Sequence, residues 1–382
     1  MTSTYKVLEL DATRLTQAFI QDWLDLESHA LEQNIYLSYY FAMPAIKELS
    51  KHEKPIFIAI YNTTVITSKL VGLAIVVDKP GCTDFPLRHI ACYESIHSYL
   101  SGILLDRASS EEAAKAFFSY LADSKRPWHG LRINHWCSDS IQGMLMQNAA
   151  FECGIRWSKL HSFERAYIEP KLSGEQSYLL SHTAAGGKDI DRRIRRLNEL
   201  GNLKHRVLRG PDVTQNTIEK FIQLEDRDWT RQAKTSLLAT GHVSFFRQVC
   251  EPLISKSRIF VSEILIDEQP IASAFNFIAG DYGFAFKIGW DQRLSKMSPG
   301  IINELWFMRD INTVCGDLKQ IDSGASAGSF IEKIWPSRRT ISTGFFVTSI
   351  QGRAALSAIG YAKSIRNNFK NLYKNSIKKP TI

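Results

Sequence analysis

The chain has 382 residues, 44% of them hydrophobic and 11% aromatic, which is room and apolar content for two ordinary domains and excludes an intrinsically disordered chain. No apolar run approaches the roughly 18 residues of a membrane-spanning helix, which excludes that class. The formal charge of +8 sits in the tail: seven of the 47 Lys and Arg lie from Arg353 onward with no acid among them, leaving 40 basic against 39 acidic residues elsewhere, so a basic body tracking a nucleic-acid backbone is not indicated.

The N-terminal residues carry acids early and lack the apolar stretch of a signal peptide, which points to a cytoplasmic protein. The six cysteines (Cys82, Cys92, Cys137, Cys153, Cys250 and Cys315) show no C-x-x-C pair, so neither a disulfide framework nor a metal site is expected. In chain order, Trp23-Leu24-Asp25-Leu26-Glu27 reads as helix and is followed by the aromatic cluster Tyr39-Tyr40-Phe41. Two apolar strands come next, Ile56–Ile60 and Leu70–Val77. About 200 residues later the same order returns: Phe221-Ile222-Gln223-Leu224-Glu225, then Phe245-Phe246, then strands Ile259–Ile264 and Ile271–Phe277 around a turn at Asp267-Glu268-Gln269-Pro270. Four matches in register predict an internal duplication. The boundary is expected between Tyr167 and Lys188, where Glu-Pro, Ser-Gly and Gly-Gly signals interrupt periodicity.

The second half is richer in chemistry. Lys188 to Gly201 predicts a helix with Ile190, Ile194, Leu197 and Leu200 on one face and Arg192, Arg193, Arg195 and Arg196 on the others; guanidinium clusters suit phosphates, and a solvated face is the plainer alternative. Glu225 lies on the apolar stripe Ile218, Phe221, Ile222, Trp229, so it is either desolvated towards the range of a general base or specifically paired. Glu27 repeats that arrangement after Ile20, Trp23 and Leu24, which favours a structural role for at least one copy. A strand from Tyr282 to Trp290 leads to Ser298-Pro299-Gly300 and a helix from Pro299 to Cys315, with Ile301, Leu305, Met308 and Ile311 on its packed face. Ser, Pro and Gly are good helix-start chemistry; the main-chain N–H groups of Gly300 and Ile301, at the positive end of the helix dipole, would also suit a pyrophosphate. A last strand, Leu318–Ile321, delivers Asp322, a strand-end carboxylate suited to take an acceptor proton, and Lys333 follows as a cation for an oxyanion. The alternative for both is a structural ion pair or cap. The tail after Arg353 reads as an amphipathic helix, Ile365, Phe369 and Leu372 against Lys363, Arg366, Lys370 and Lys374, suited to anionic lipid headgroups or else a solvated terminus. No G-x-S-x-G, H-E-x-x-H, Walker A or G-x-G-x-x-G motif occurs.

Lys188 to Trp335 resembles the BioF2-like acetyltransferase domain of the CelD/BcsL group. The motifs that carry the resemblance are the arginine-rich helix ending in Gly201, Leu224-Glu225 with Trp229, Ser298-Pro299-Gly300, Asp322-Ser323-Gly324 and Lys333-Ile334-Trp335. The chain departs from the familiar GNAT pyrophosphate loop, Q/R-x-x-G-x-G/A, for which Asp291 to Gly300 stands instead. The resemblance implies an α/β (α+β) fold of two tandem GNAT-like domains, related to the Fem peptidyltransferases, with mixed, largely antiparallel sheets flanked by helices. The expected division is 1–170 for a degenerate first unit, 171–350 for the acyltransferase unit and 351–382 for the basic tail. It further implies an acyltransferase that takes acyl-CoA, without a metal, and an amine or hydroxyl acceptor in polysaccharide or cell-envelope assembly. Asp322 or Glu225 would act as base and Lys333 as oxyanion partner. Ser298, Gly300 and Ile301 would hold the donor, and Trp229, Arg196 and Trp335 would contact substrate. A Fem-type aminoacyl-tRNA donor, and a non-catalytic scaffold docked peripherally at the membrane through the tail, are the alternatives.

Overall fold

The computed structural model describes residues 4–50, 52–64, 68–227 and 233–361. The first half runs β1 (Tyr5–Asp11), α1 (Gln17–Ser28), α2 (Tyr39–Leu49), β2 (Ile56–Asn62), β3 (Lys69–Lys79), β4 (His89–Cys92), β5 (Leu104–Leu105), α3 (Ser110–Ala122), β6 (Gly130–Cys137), α4 (Ile141–Glu152) and β7 (Arg156–Ile168). The second half follows with α5 (Glu175–Ala184), α6 (Lys188–Asn198), β8 (Leu203–Arg209), α7 (Gln215–Asp226), α8 (Leu237–Thr240), α9 (Val243–Ser255), β9 (Ile259–Ile266), β10 (Gln269–Ala279), β11 (Tyr282–Trp290), α10 (Pro299–Cys315), β12 (Gln320–Asp322) and β13 (Ser337–Val347). A helix over residues 350–361, α11, closes the described chain.

Each half lays down an antiparallel meander and then one parallel pair, β4 with β6 and β11 with β12, which makes the sheet mixed and largely antiparallel, as expected of two GNAT-like units. The halves then exchange strands. The sheet order is β1-β2-β3-β4-β6-β13-β7-β12-β11-β10-β9-β8, so β13 of the second half lies between β6 and β7 of the first. In turn β7 pairs with β12. Central strands such as β3, buried along Leu70 to Val76, are nearly continuous apolar runs because helices cover both faces.

The β9–β10 hairpin is tighter than the four-residue turn read from sequence. Asp267 and Glu268 both adopt positive φ, 47° and 62°, the two-residue geometry whose twist matches that of the strands. Gln269 and Pro270 already pair with Ile266 and Leu265.

One core is shared by both halves. Helices α1, α2, α7 and α9 meet over the same face of the sheet. There Phe41 of α2 is fully buried, with ring centres 5.4 Å from Phe245, 6.1 Å from Phe286 and 6.3 Å from Phe277. The opposite face carries two separate cores, one under α3 and α4 and one under α10. Shared strands and a shared aromatic core predict a single cooperative unfolding transition. Phe41→Ala is expected to lower stability by about 3–5 kcal/mol. Guanidinium melts followed by near- and far-ultraviolet circular dichroism check both points: two resolved transitions would contradict the shared core.

Candidate functional site

The chain leaves β11 through a short 3-10 turn, Gln292–Met297, and enters α10 at Pro299. Ser298 sits in the left-handed region, φ 49°, ψ 54°, and its side chain makes no cap. Its hydroxyl instead accepts from the Arg193 guanidinium of α6. The Ile301 N–H, expected to be free, is used: it donates to Ser298 O at 3.1 Å, and Ile302 N–H donates to the same oxygen at 3.2 Å. A tight first turn consumes these donors because Ser298 folds its carbonyl under the helix. Among the hydrogen bonds of the described residues none engages the Gly300 N–H, so that amide alone remains of the expected pair. Ser298, Gly300 and Ile301 line a cleft of about 510 Å³ together with Trp290 and Phe330. A Cβ on Gly300 would stand 3.3 Å from the Trp290 ring, so glycine keeps this wall open.

An inner cavity of about 240 Å³ adjoins the cleft, and the two share Ile288, Ser329 and Phe330. It exists because β11 and β12 pair over only three residues, ending at Phe284 and Asp322. Beyond them β11 continues while the other chain turns away through Gly324, φ 63°, where any side chain would strike Ala285 O and the Tyr99 ring. Tyr99, Lys287, Glu304 and Trp335 are the polar-bearing side chains on the cavity wall that matter most for chemistry.

Glu304 lies one helical turn beyond Gly300, and burial pushes its carboxyl up to about 7, with the Trp335 indole partly opposing the rise. A carboxyl near that value is suited to accept a proton at neutral pH. Sequence reading missed it, although the signal was present: Gly300, Glu304, Met308, Ile311 and Cys315 recur at helical spacing, placing a carboxylate on the packed stripe, the argument applied to Glu225.

Lys287 reaches the cavity from the other side of the opening, its Nζ 3.2 Å from Glu225 Oε1. Glu225 is fully buried, and its second oxygen accepts the Leu237 N–H at 2.8 Å. Gly289 lets α7 come this close, since a Cβ there would lie 2.8 Å from the Glu225 backbone. Glu225 is therefore specifically paired and orients an ammonium. Beside Lys287, burial and that ammonium lower the His97 imidazole to about 3; His97 stacks on Phe245 and is 3.0 Å from His242. His97 and Tyr99 belong to the first half, so both halves build the site.

The residues assigned to catalysis from sequence do not converge. Asp322 is 1% exposed and lies between Arg165 Nη1, at 3.5 Å, and Arg339 Nε, at 3.2 Å. Its Oδ1 also caps the following turn, accepting the Gly324 N–H at 2.7 Å. This triad ties β7, β12 and β13 at the strand exchange, and Asp322 is not among the residues lining the cavity. Lys333 is exposed on the 3-10 turn Phe330–Lys333 and is absent from that lining too. Arg196 is exposed on α6, three residues beyond Arg193. Trp335 is buried on the cavity wall, and Trp229 lies outside the described residues.

Ser262, His205 and Asp310 also have relay-like spacings, 3.0 and 2.8 Å, but the Ser262 hydroxyl is buried and bonded to Asn303, which makes this a packing network.

Residues 186–326, which contain the start of α10, Lys287 and Glu304, match the sequence model of the acetyltransferase (GNAT) domain. The match falls within the second unit, whose fold is GNAT-like. The fold is similar to that of the crystal structure of FemX, with a TM-score of 0.53 and 9% identity over 89% of this chain and 97% of that one. Further matches are the C-terminal domain (DUF2156) of a putative lysylphosphatidylglycerol synthetase from Agrobacterium fabrum, at TM-score 0.49 and 11% identity over 89% and 94% of the chains. A tandem GNAT protein from the clavulanic acid biosynthesis pathway follows at TM-score 0.45 and 9% identity over 90% and 99%. No curated protein matches the chain. At these identities the FemX likeness is one of fold.

Removing the charge of Asp322 leaves two buried guanidinium groups facing each other. Asp322→Asn is expected to cost about 3–5 kcal/mol. Denaturant melts check this, with an unchanged midpoint contradicting the structural role.

Proposed function

We propose that the chain is an acyltransferase that moves an acyl group from acyl-CoA to an amine, with Glu304 as general base. The supporting observation is a carboxyl raised to about 7 at the inner end of a cleft that begins at the Gly300 amide. In this reading the donor's pyrophosphate meets the Gly300 N–H and the positive end of α10. The thioester lies in the inner cavity. The acceptor nitrogen attacks the carbonyl carbon, Glu304 takes the nitrogen's proton, and the Lys287 ammonium, held by Glu225, offsets the charge developing on oxygen. Collapse of the tetrahedral intermediate completes the C–N bond, breaks the C–S bond and releases the thiolate. Lys287 takes the part expected of Lys333 from sequence, and Glu304 the part expected of Asp322 or Glu225.

The narrower CelD/BcsL assignment, an amino sugar or similar acceptor and a role in polysaccharide or envelope assembly rest on the motif resemblance. The Fem-type reading has the same reacting groups and differs in donor: activity would then require aminoacyl-tRNA and be lost on ribonuclease treatment.

Two experiments test the proposal. In thermal-shift measurements acetyl-CoA, longer acyl-CoAs and free CoA are expected to stabilise the chain by about 2.7 kcal/mol at a hundred times their dissociation constant. Gly300→Asp should abolish the shift, and a chain that no CoA compound stabilises sinks the acyl-CoA reading.

The second concerns Glu304. Its folded-state pKa lies above the ordinary 4.5, so the stability it contributes is complete below pH 4.5 and is lost as pH rises through about 7. Glu304→Gln should therefore be more stable than the parent at pH 8 by about 3 kcal/mol, with little difference near pH 4.5. The same substitution should lower kcat/KM by about 10²–10⁴ and remove a rise in rate centred near pH 7. Parental activity in the variant would exclude Glu304 as the base.

A further inference from the structure

Far from the cleft, two helices leave apolar rows without a partner in the described chain. On α4, Ile141, Met144 and Phe151 share one face and are 69%, 52% and 66% exposed. On α11, Ile350 and Tyr361 share a face with Ala354 and are 73% and 72% exposed. The helices meet at a hollow of about 560 Å³ lined by Phe151, Gly154, Arg156 and Arg353. The Arg156 guanidinium lies 5.9 Å from the Phe151 ring centre, and Arg353 donates to Gly154 O at 3.2 Å. The nearby acid, Glu152, is paired with Lys115 at 2.9 Å, an ammonium it shares with Glu111 at 2.8 Å.

We infer that this face, formed by α4 and the start of β7 together with α11 (Phe151, Ile350 and Tyr361 with Arg156 and Arg353), rests on an anionic phospholipid surface. Charge complementarity selects that occupant. The sequence after Tyr361 continues the positive charge with Lys363, Arg366, Lys370, Lys374, Lys378 and Lys379 and holds no acid. Exposed aliphatic and aromatic side chains beside arginines match the boundary between headgroups and acyl chains: the apolar groups insert, and the guanidinium groups stay at the phosphates with their stems in the apolar layer. A nucleic acid would leave the apolar rows idle, and an apolar protein partner would leave the cations unmatched. No described helix is long and apolar enough to cross a membrane, so the contact is peripheral. Its strength depends on the leaflet's charge and falls with salt.

Flotation of the full chain with vesicles of phosphatidylcholine alone, or of equal parts phosphatidylcholine and phosphatidylglycerol, tests this. The protein should float with the anionic vesicles alone and be released as salt rises. The double substitution Phe151→Glu with Ile350→Glu should lower the bound fraction by about tenfold, as should a chain ending at Tyr361. Thermal melts confirm that each variant is folded, as expected for exposed positions. A parent that stays unbound overturns the inference, as does undiminished flotation of the double variant. A concentration-dependent dimer that the double variant abolishes, without vesicle binding, assigns the face to a second copy and overturns it as well.

Discussion

Neither half of this chain can complete its own sheet. All eleven residues of β13 pair with β7, while β13 also flanks β6 of the first half and β7 flanks β12 of the second. The exchange joins strands far apart in sequence, so its closure entropy is repaid only when both meanders are in place. At the crossing, one buried carboxylate bridges two guanidinium groups and ties three strands together. The shared aromatic core and the position of Tyr99 beside the second unit's cavity both follow from that crossing.

Strand exchange also explains why the opening between β11 and β12 persists. A parallel pair three residues long is held at one end by β7 and the Asp322 triad, and past it the strands diverge with nothing between them but the inner cavity. Walls fixed by so many backbone bonds do not collapse inward, which lets Glu304 stay desolvated without filling the space. Its ionised form costs stability, and the surrounding sheet supplies the rigidity that tolerates such a group.

The duplicated helix carboxylates show how one motif diverges under different surroundings. Glu27 and Glu225 occupy equivalent positions and both are buried, so each needs a partner. Glu27 bonds Arg258 across to the second half, which is a cross-tie between the units. Glu225 bonds Lys287 within the second half and orients a cation at a cavity. The first half, with no assigned chemistry of its own, contributes Tyr99 and His97 to the wall around that cation.

Periodicity and helix-start chemistry in the sequence by themselves determined the repeat, the main strands, the helix opening at Pro299 and the apolar faces of the helices, because these depend on neighbours within a few residues. Tertiary structure decided which strands each half lends to the other, which of the acids meets the cavity and which amide at the Pro299 turn stays unpaired. The sequence pointed to Asp322, which ends a strand, and passed over Glu304, which lies on a helix stripe. Arg165, from the first half, and Arg339, from the last strand, claim the first, while burial beside the Trp335 indole governs the second. A carboxylate's chemistry is set by what desolvates or neutralises it, and those partners are brought together only by the long-range pairing of the sheet.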